Sequence, residues 1–241
     1  YTDLENFKYF NRKYGYAAGD QLLREFTGYI IDTLKKRNTA HFTRVVADQF
    51  ILFFEEKWNN GSIEAIKRIN NGFIERQQRK YPEAKLRLRT GVYKVEKDCD
   101  GASFAIDAAN YARRQIQDNS PETVCVYDKT MADLQNMENE IAIGLDKAIK
   151  NKEFKIYLQP RFSLTTGKIV GAESLVRWQR EDGTILPPDS FIPVYEKNGR
   201  IIDLDFYMFE ETVKLLANWK EQGIPQRLIS INASALHAQN S

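Results

Sequence analysis

Glu173 and Asn232 are the side chains whose types and placing point most directly to chemistry. Each closes a short apolar run of strand character, residues 169–172 before the carboxylate and 228–231 before the carboxamide. In barrels of alternating strands and helices, active sites are built at the C-terminal strand ends. Two oxygen donors placed there suit Mg²⁺ or Mn²⁺. The only histidines, His41 and His237, make no zinc cluster and give no base for a serine or cysteine nucleophile. Water activated by a divalent metal is then the hydrolytic route open. Each residue also has a plain reading: Asn232 ends a strand, Glu173 pairs with Arg177 as a salt bridge, and Gln159 satisfies backbone.

The elements that must position these residues follow from hydrophobic periodicity. Residues 154–162 and 169–178 read as strands joined by a turn at Thr165-Thr166-Gly167-Lys168, which makes them an antiparallel hairpin. Helices at about 188–198 and 203–222 and a strand at 227–232 then follow in βαβ order. Ahead of them, Phe7, Phe10 and Tyr14 mark a short helix closed by Gly15. A second helix starts at Asp20, which is placed to cap it, and buries Leu22, Leu23, Phe26, Ile30 and Leu34. A hairpin turns at Ala47-Asp48-Gln49, a polar helix spans about 62–80, strands fall at 85–95 and 123–127, and a helix covers 102–117. Residues 131–152 read as one uninterrupted helix with Leu134, Met137, Ile141, Leu145, Ala148 and Ile149 on one face.

Composition bounds the function without naming it. The 241 residues carry 35 basic and 33 acidic side chains, a formal charge of +2, which gives no field arguing for nucleic acid or a membrane surface. Cys99 and Cys125 fit neither a disulfide framework nor a zinc spacing, so a reducing, cytoplasmic setting is expected. The first residue is Tyr1, and an upstream sensor or membrane anchor is compatible with that start.

Asp3-Leu-Glu5-Asn-Phe7-Lys8, then Asn11, Tyr14-Gly15-Tyr16 and Gly19-Asp20-Gln-Leu22-Leu23 resemble the signature of GGDEF-type diguanylate cyclases. The resemblance implies that Asp3 is the metal residue, that Asn11 and Asp20 read guanine, and that Val46-Ala47-Asp48-Gln49-Phe50 is the name-giving hairpin. That hairpin departs from the family. Val46 and Ala47 replace two glycines, which let backbone N–H groups approach a phosphate and take positive φ, and Gln49 replaces the second acid beside Asp48. Tyr16 stands where His is usual, Gln117 where a phosphate-facing Lys is usual, and around Arg37 the product-inhibition motif has Ala40 in place of Asp. A cyclase that does not work is expected, with Asp3, Asn11, Asp20 and Asp48 as a vestigial nucleotide site, either merely structural or still admitting GTP.

Phe154-Lys-Ile-Tyr157-Leu-Gln159-Pro160, Gly171-Ala-Glu173-Ser174-Leu175-Val-Arg177-Trp178, residues 187–199 and Ser230-Ile-Asn232-Ala-Ser234 resemble the start of EAL-type cyclic di-GMP phosphodiesterases. Ser174 replaces the central Ala of the signature triplet. The resemblance implies that Glu173 and Asn232 hold Mg²⁺ or Mn²⁺, that Arg177 neutralises a phosphate and that Gln159 contacts the dinucleotide, for hydrolysis to linear diguanylate.

The expected fold class is α/β: an α+β nucleotidyl-cyclase-like domain at 1–133, a connecting helix at 134–152, and at 153–241 a partial TIM-type β/α barrel whose first strand is antiparallel. A chain ending about halfway along such a barrel is expected not to turn over cyclic di-GMP by itself, while its uncut parent does. The other reading is a non-catalytic receptor or scaffold for cyclic di-GMP or GTP. The apolar face around Ile141 and Leu145 fits a homodimer or packing on the chain's own neighbouring domain equally.

Overall fold

In β1 (Thr2–Glu5), Thr2 and Leu4 are buried while Asp3 and Glu5 are half-buried, the two-residue period of a strand. The computed structural model of the protein describes residues 1–34, 40–55, 61–118 and 120–238. They divide into two units, Tyr1–Asp133 and Leu134–Ser241. No helix among the described residues is long and apolar enough to cross a membrane. Arg37, at the centre of the expected inhibition motif, lies outside the described residues.

In the first unit β1 leads to α1 (Phe7–Tyr14) and α2 (Tyr16–Leu34), then β2 (Ala40–Val46), β3 (Gln49–Phe54), α3 (Gly61–Lys80), β4 (Arg87–Val92), α4 (Ala102–Arg114) and β5 (Val124–Val126). The sheet order is β2-β3-β1-β4-β5, antiparallel except for the β4–β5 pair. One core cluster joins Leu4, Phe50 and Leu88 of the sheet to Phe10, Leu22, Phe26, Ile30 and Phe73 of the helices. Gly15, at φ 87°, breaks α1 from α2 in a conformation an L residue resists. Because α2 starts again at Tyr16, Asp20 is its fifth residue, not its cap. Ala17 and Ala18, both strong helix formers, extend the helix N-terminal to the expected start.

In the second unit β6 (Phe154–Phe162) and β7 (Ile169–Gln179) form the hairpin, followed by β8 (Ile185–Leu186), α6 (Pro188–Asn198), α7 (Ile201–Glu221) and β9 (Leu228–Ile231). β6 and β8 pair antiparallel with β7, and β9 pairs parallel with it, so β7-α7-β9 is a crossover unit. α6 has proline at its first position and ends on Gly199 at φ 78°, the usual asymmetry of helix ends. Pleating sends Phe154 and Ile156 of β6 and Val176 and Trp178 of β7 into the core: Phe154 and Trp178, 5.1 Å apart by ring centroid, pack with Phe191 and Tyr195. Odd-numbered residues face the other way, and Tyr157, Gln159 and Arg161 are exposed there.

The helix α5 (Lys129–Lys150) contributes Ile141, Leu145 and Ala148 to this second core. Ile141 and Leu145 are fully buried in this core, so of the two uses left open for this apolar face the structure shows packing within the chain.

Candidate functional site

Glu173 lies in mid-strand, not at a strand end as its apolar approach suggested, because β7 runs on to Gln179. Val176 and Trp178 beyond it insert into the core, so the strand continues while its polar residues occupy the opposite face. Asn232 does follow directly on β9. The parallel register sets Glu173 against Ser230 and Ser174 against Ile231, which brings Asn232 two residues beyond the position opposite Glu173, on the same side of the sheet. There Asn232 Nδ2 donates to Glu173 Oε1 at 2.8 Å. Gln159 lies directly across from Glu173 in the β6–β7 ladder, where opposite residues share a face.

Close approach of β9 depends on Gly171. A Cβ there would stand 2.5 Å from the Leu228 carbonyl oxygen, so a side chain would force the two strands apart and separate the acid from the amide. Arg177 sits further along the same face, half-buried. Its Nη1 donates to the Val176 carbonyl at 2.8 Å, and its guanidinium lies 5.7 Å from the Tyr157 ring. Among the described residues Arg177 makes no ion pair with Glu173. The face gathers Gln159, Glu173, Asn232 and Arg177. Arg161, opposite Gly171, joins them; the strand's two-residue period was the signal that placed it there.

A carboxylate beside a carboxamide offers the hard oxygen donors that Mg²⁺ or Mn²⁺ takes. Turning the Asn232 amide about its last torsion exchanges a donor for an acceptor. The pair therefore fits part of a divalent-ion shell. Among the described residues no group of three or more His, Cys, Asp and Glu forms a metal cluster.

The first unit presents a different arrangement. Asp3 is opposite Gln49 in the β1–β3 ladder, and Asp48 occupies the adjoining turn. Burial pushes the Asp48 carboxyl above the usual carboxylate range, and the charge of Asp3 adds to the shift. Asp3 Oδ2 is paired with Arg113 Nη1 at 3.1 Å. Asn11 is on α1 with its Oδ1 buried and unpartnered; a Cβ on Gly19 of α2 would lie 1.8 Å from that oxygen. Asp20 is exposed on α2. Asp3 and Asp48 are thus brought together, and Asn11 and Asp20 belong to the packed α1–α2 pair.

Of the hairpin's two non-glycine positions, only Ala47 has positive φ, at 46°. Val46 remains in β2 with its side chain exposed. The two glycine positions were expected to serve close phosphate approach or positive φ; the turn takes positive φ at Ala47 alone, beside a register shift between Arg44 and Val46.

Two nucleotide-signalling domain families meet in this chain. The family model "Diguanylate cyclase, GGDEF domain" matches residues 1–121 and the model "EAL domain" matches residues 144–241. The chain belongs to the GGDEF family and carries an EAL segment after it. Among its relatives are the bifunctional diguanylate cyclase/cyclic di-GMP phosphodiesterase MucR of Pseudomonas aeruginosa, 22% identical over 98% of this chain and 34% of MucR, and the cyclic di-GMP phosphodiesterase PdeR of Escherichia coli, 27% identical over 98% of this chain and 35% of PdeR. The chain thus spans about a third of the length of these relatives. A solved structure of Vibrio cholerae LapD, S helix-GGDEF-EAL bound to c-di-GMP, aligns over 97% of this chain and 54% of that one at 19% identity and a TM-score of 0.47.

Proposed function

We propose that this chain works within a cyclic di-GMP signalling protein, with the dinucleotide taken by the odd-numbered face of the β6–β7–β9 sheet and the first unit acting as a catalytically silent partner. The observation carrying this reading is the 2.8 Å contact between Glu173 and Asn232 on two parallel strands, with Gln159 across the ladder from the acid. A phosphodiester anion needs a cation and oriented donors on one face. Arg177 and Arg161 supply fixed positive charge, and Gln159 supplies an amide that can both donate and accept.

In hydrolysis, Glu173 and Asn232 would hold Mg²⁺ or Mn²⁺, which when bound lowers the pKa of water and neutralises charge on a phosphoryl oxygen. The chain's own residues orient the substrate. Gln159 fixes its edge, Arg177 offsets phosphate charge while stacked near Tyr157, and the Gly171 approach keeps Glu173 and Asn232 in mutual reach. Ser174, pointing to the opposite face, takes no part. Residual GTP binding at Asn11 and Asp20 would be regulatory, since Ala47 and Gln49 do not restore the phosphate cradle and second acid of a cyclase.

The test measures cyclic di-GMP binding and turnover with manganese, for this chain and for the full-length protein encoded with it, each against Glu173→Ala. Turnover by the full-length protein that falls at least a hundredfold in the variant supports hydrolysis. Binding without turnover gives the receptor reading instead. Unchanged binding and turnover in Glu173→Ala would remove the site from this face.

A further inference from the structure

Arg113 reaches the acid pair of the first unit from α4, and its place is fixed on several sides. Gly91 of β4 lets α4 lie directly on the sheet: a Cβ there would be 1.8 Å from the Ala109 carbonyl oxygen and 2.4 Å from Arg113 N. Arg113 Nε donates to Asn110 Oδ1 at 3.0 Å, Nη1 meets Asp3 Oδ2 at 3.1 Å, and the guanidinium lies 5.7 Å from the Tyr1 ring. Tyr1 in turn donates its hydroxyl to Gln49 Oε1 at 2.6 Å, which orients the amide that replaces an acid. Both members of the Arg113–Asp3 pair are largely buried, with side chains 15% and 18% exposed.

We infer that Arg113 is a built-in counter-cation that takes over the charge role of a divalent metal at Asp3 and Asp48, closing the first unit's ancestral metal site from within. The residues present do not fit a metal. A guanidinium offers only donors and keeps its charge at any working pH, so a second cation at Asp3 would be repelled by it. Gln49 has removed one negative charge, and one fixed positive charge now faces the two that remain. Asp48 also lies within the field of Arg113, which counters its burial. Gln49 and Arg113 act separately on the site, and the guanidinium is sufficient to exclude the ion. This inference rests on the first unit being a degenerate cyclase and is independent of cyclic di-GMP chemistry in the second.

The test uses the full chain in a Glu173→Gln background, which silences the proposed site of the second unit, and reads Mn²⁺ binding by electron paramagnetic resonance and by thermal shift. Returning the acid alone, Gln49→Glu, should give no Mn²⁺-dependent change. Gln49→Glu combined with Arg113→Ala should bind Mn²⁺ and melt about 4 °C higher at tenfold excess over Kd, and adding Asp3→Asn should abolish both signals. Arg113→Gln serves the same arm should alanine unfold the unit. If Gln49→Glu alone binds Mn²⁺ within twofold of the double variant, or if the folded double variant stays silent, Arg113 does not close the site.

Discussion

Ser174 occupies the central position of the EAL triplet, where the family has alanine, and the structure says what its extra hydroxyl does. Ser174 is buried and its Oγ lies 3.2 Å from Oγ1 of fully buried Thr212 on α7. Thr212 Oγ1 itself donates to the Met208 carbonyl at 2.8 Å, so its single proton is already used and Ser174 must be the donor between the two. This direction makes the pair unequal. Ser174→Ala deletes a donor and strands nothing, since Thr212 keeps its bond to Met208, at a cost of about 0.5–1.5 kcal/mol. Thr212→Val removes the acceptor and leaves the Ser174 hydroxyl buried with nowhere to donate, at a cost of about 2–3 kcal/mol. With both replaced, no polar group is left behind, and the loss returns to about 1 kcal/mol. The coupling is therefore about 2 kcal/mol in favour of the double variant. Urea denaturation followed by tryptophan fluorescence in a Trp58→Phe background suits the measurement, because the other two tryptophans, Trp178 and Trp219, are both in the second unit. Equal losses for the two single variants, or simple additivity, would refute the assigned direction. Cyclic di-GMP binding should be unaffected by Ser174→Ala, since the side chain lies on the face opposite to Glu173.

Three further perturbations test other parts of the fold. Ala47→Gly should stabilise the first unit by about 0.5–1 kcal/mol, because Ala47 holds φ 46° at a cost glycine avoids; a lower melting temperature would mean the turn relaxes in solution. Gly91→Ala should cost about 2–4 kcal/mol, since its Cβ would meet backbone atoms of α4 at 1.8 and 2.4 Å; a loss below 1 kcal/mol in denaturant melts would show that α4 is not seated so closely. Tyr195, fully buried, donates to the Ile141 carbonyl at 3.0 Å, and burial raises its phenol pKa. The folded state thus favours the neutral phenol, whose contribution is complete below the unfolded pKa of about 10 and is lost as pH climbs from there towards the raised folded value. Tyr195→Phe should flatten the alkaline fall in stability, and a difference between the two proteins that is constant from pH 8 to 12 would contradict the sign.

Element types were legible wherever a periodic apolar stripe met a local stop signal. The β6–β7 hairpin and α6 were readable because Thr-Thr-Gly-Lys, Pro188 and Gly199 punctuate them. Asp20 suits a helix cap by residue type, but the start of α2 is set by Gly15, which takes positive φ one residue before the helix. The position of Glu173 within its strand was legible only from the longer run: residues 169–178 read as one strand, while residues 169–172 alone pointed to a strand end at the acid. An apolar run that ends at an acid looks like a strand end, and only the alternation continuing through Val176 and Trp178 shows the strand passing beneath it. The meeting of Glu173 with Asn232 depends on a parallel register across 59 residues of chain, which no local pattern encodes. The Arg113–Asp3 pair was invisible for the same reason: it arises from helix-on-sheet packing that a single glycine permits.

The two units hold the same kind of acid with different partners, and the partner decides what the acid can still bind. Glu173 is met by a carboxamide, which carries a donor at one end and an acceptor at the other and can present either after a half-turn. Its contact with the acid can be exchanged for joint coordination of a cation without rebuilding the site, because both side chains are half-exposed or exposed on an open sheet face. Asp3 is met by a guanidinium with no lone pair to offer, held by Asn110 and Tyr1 and largely buried. Releasing that pair would strand a charge on each side, a cost of several kcal/mol that an ion drawn to Asp3 and Asp48 must first overcome. Under the proposed function the amide leaves the second unit's acid open to an ion, while the guanidinium commits the first unit's acid to the fold.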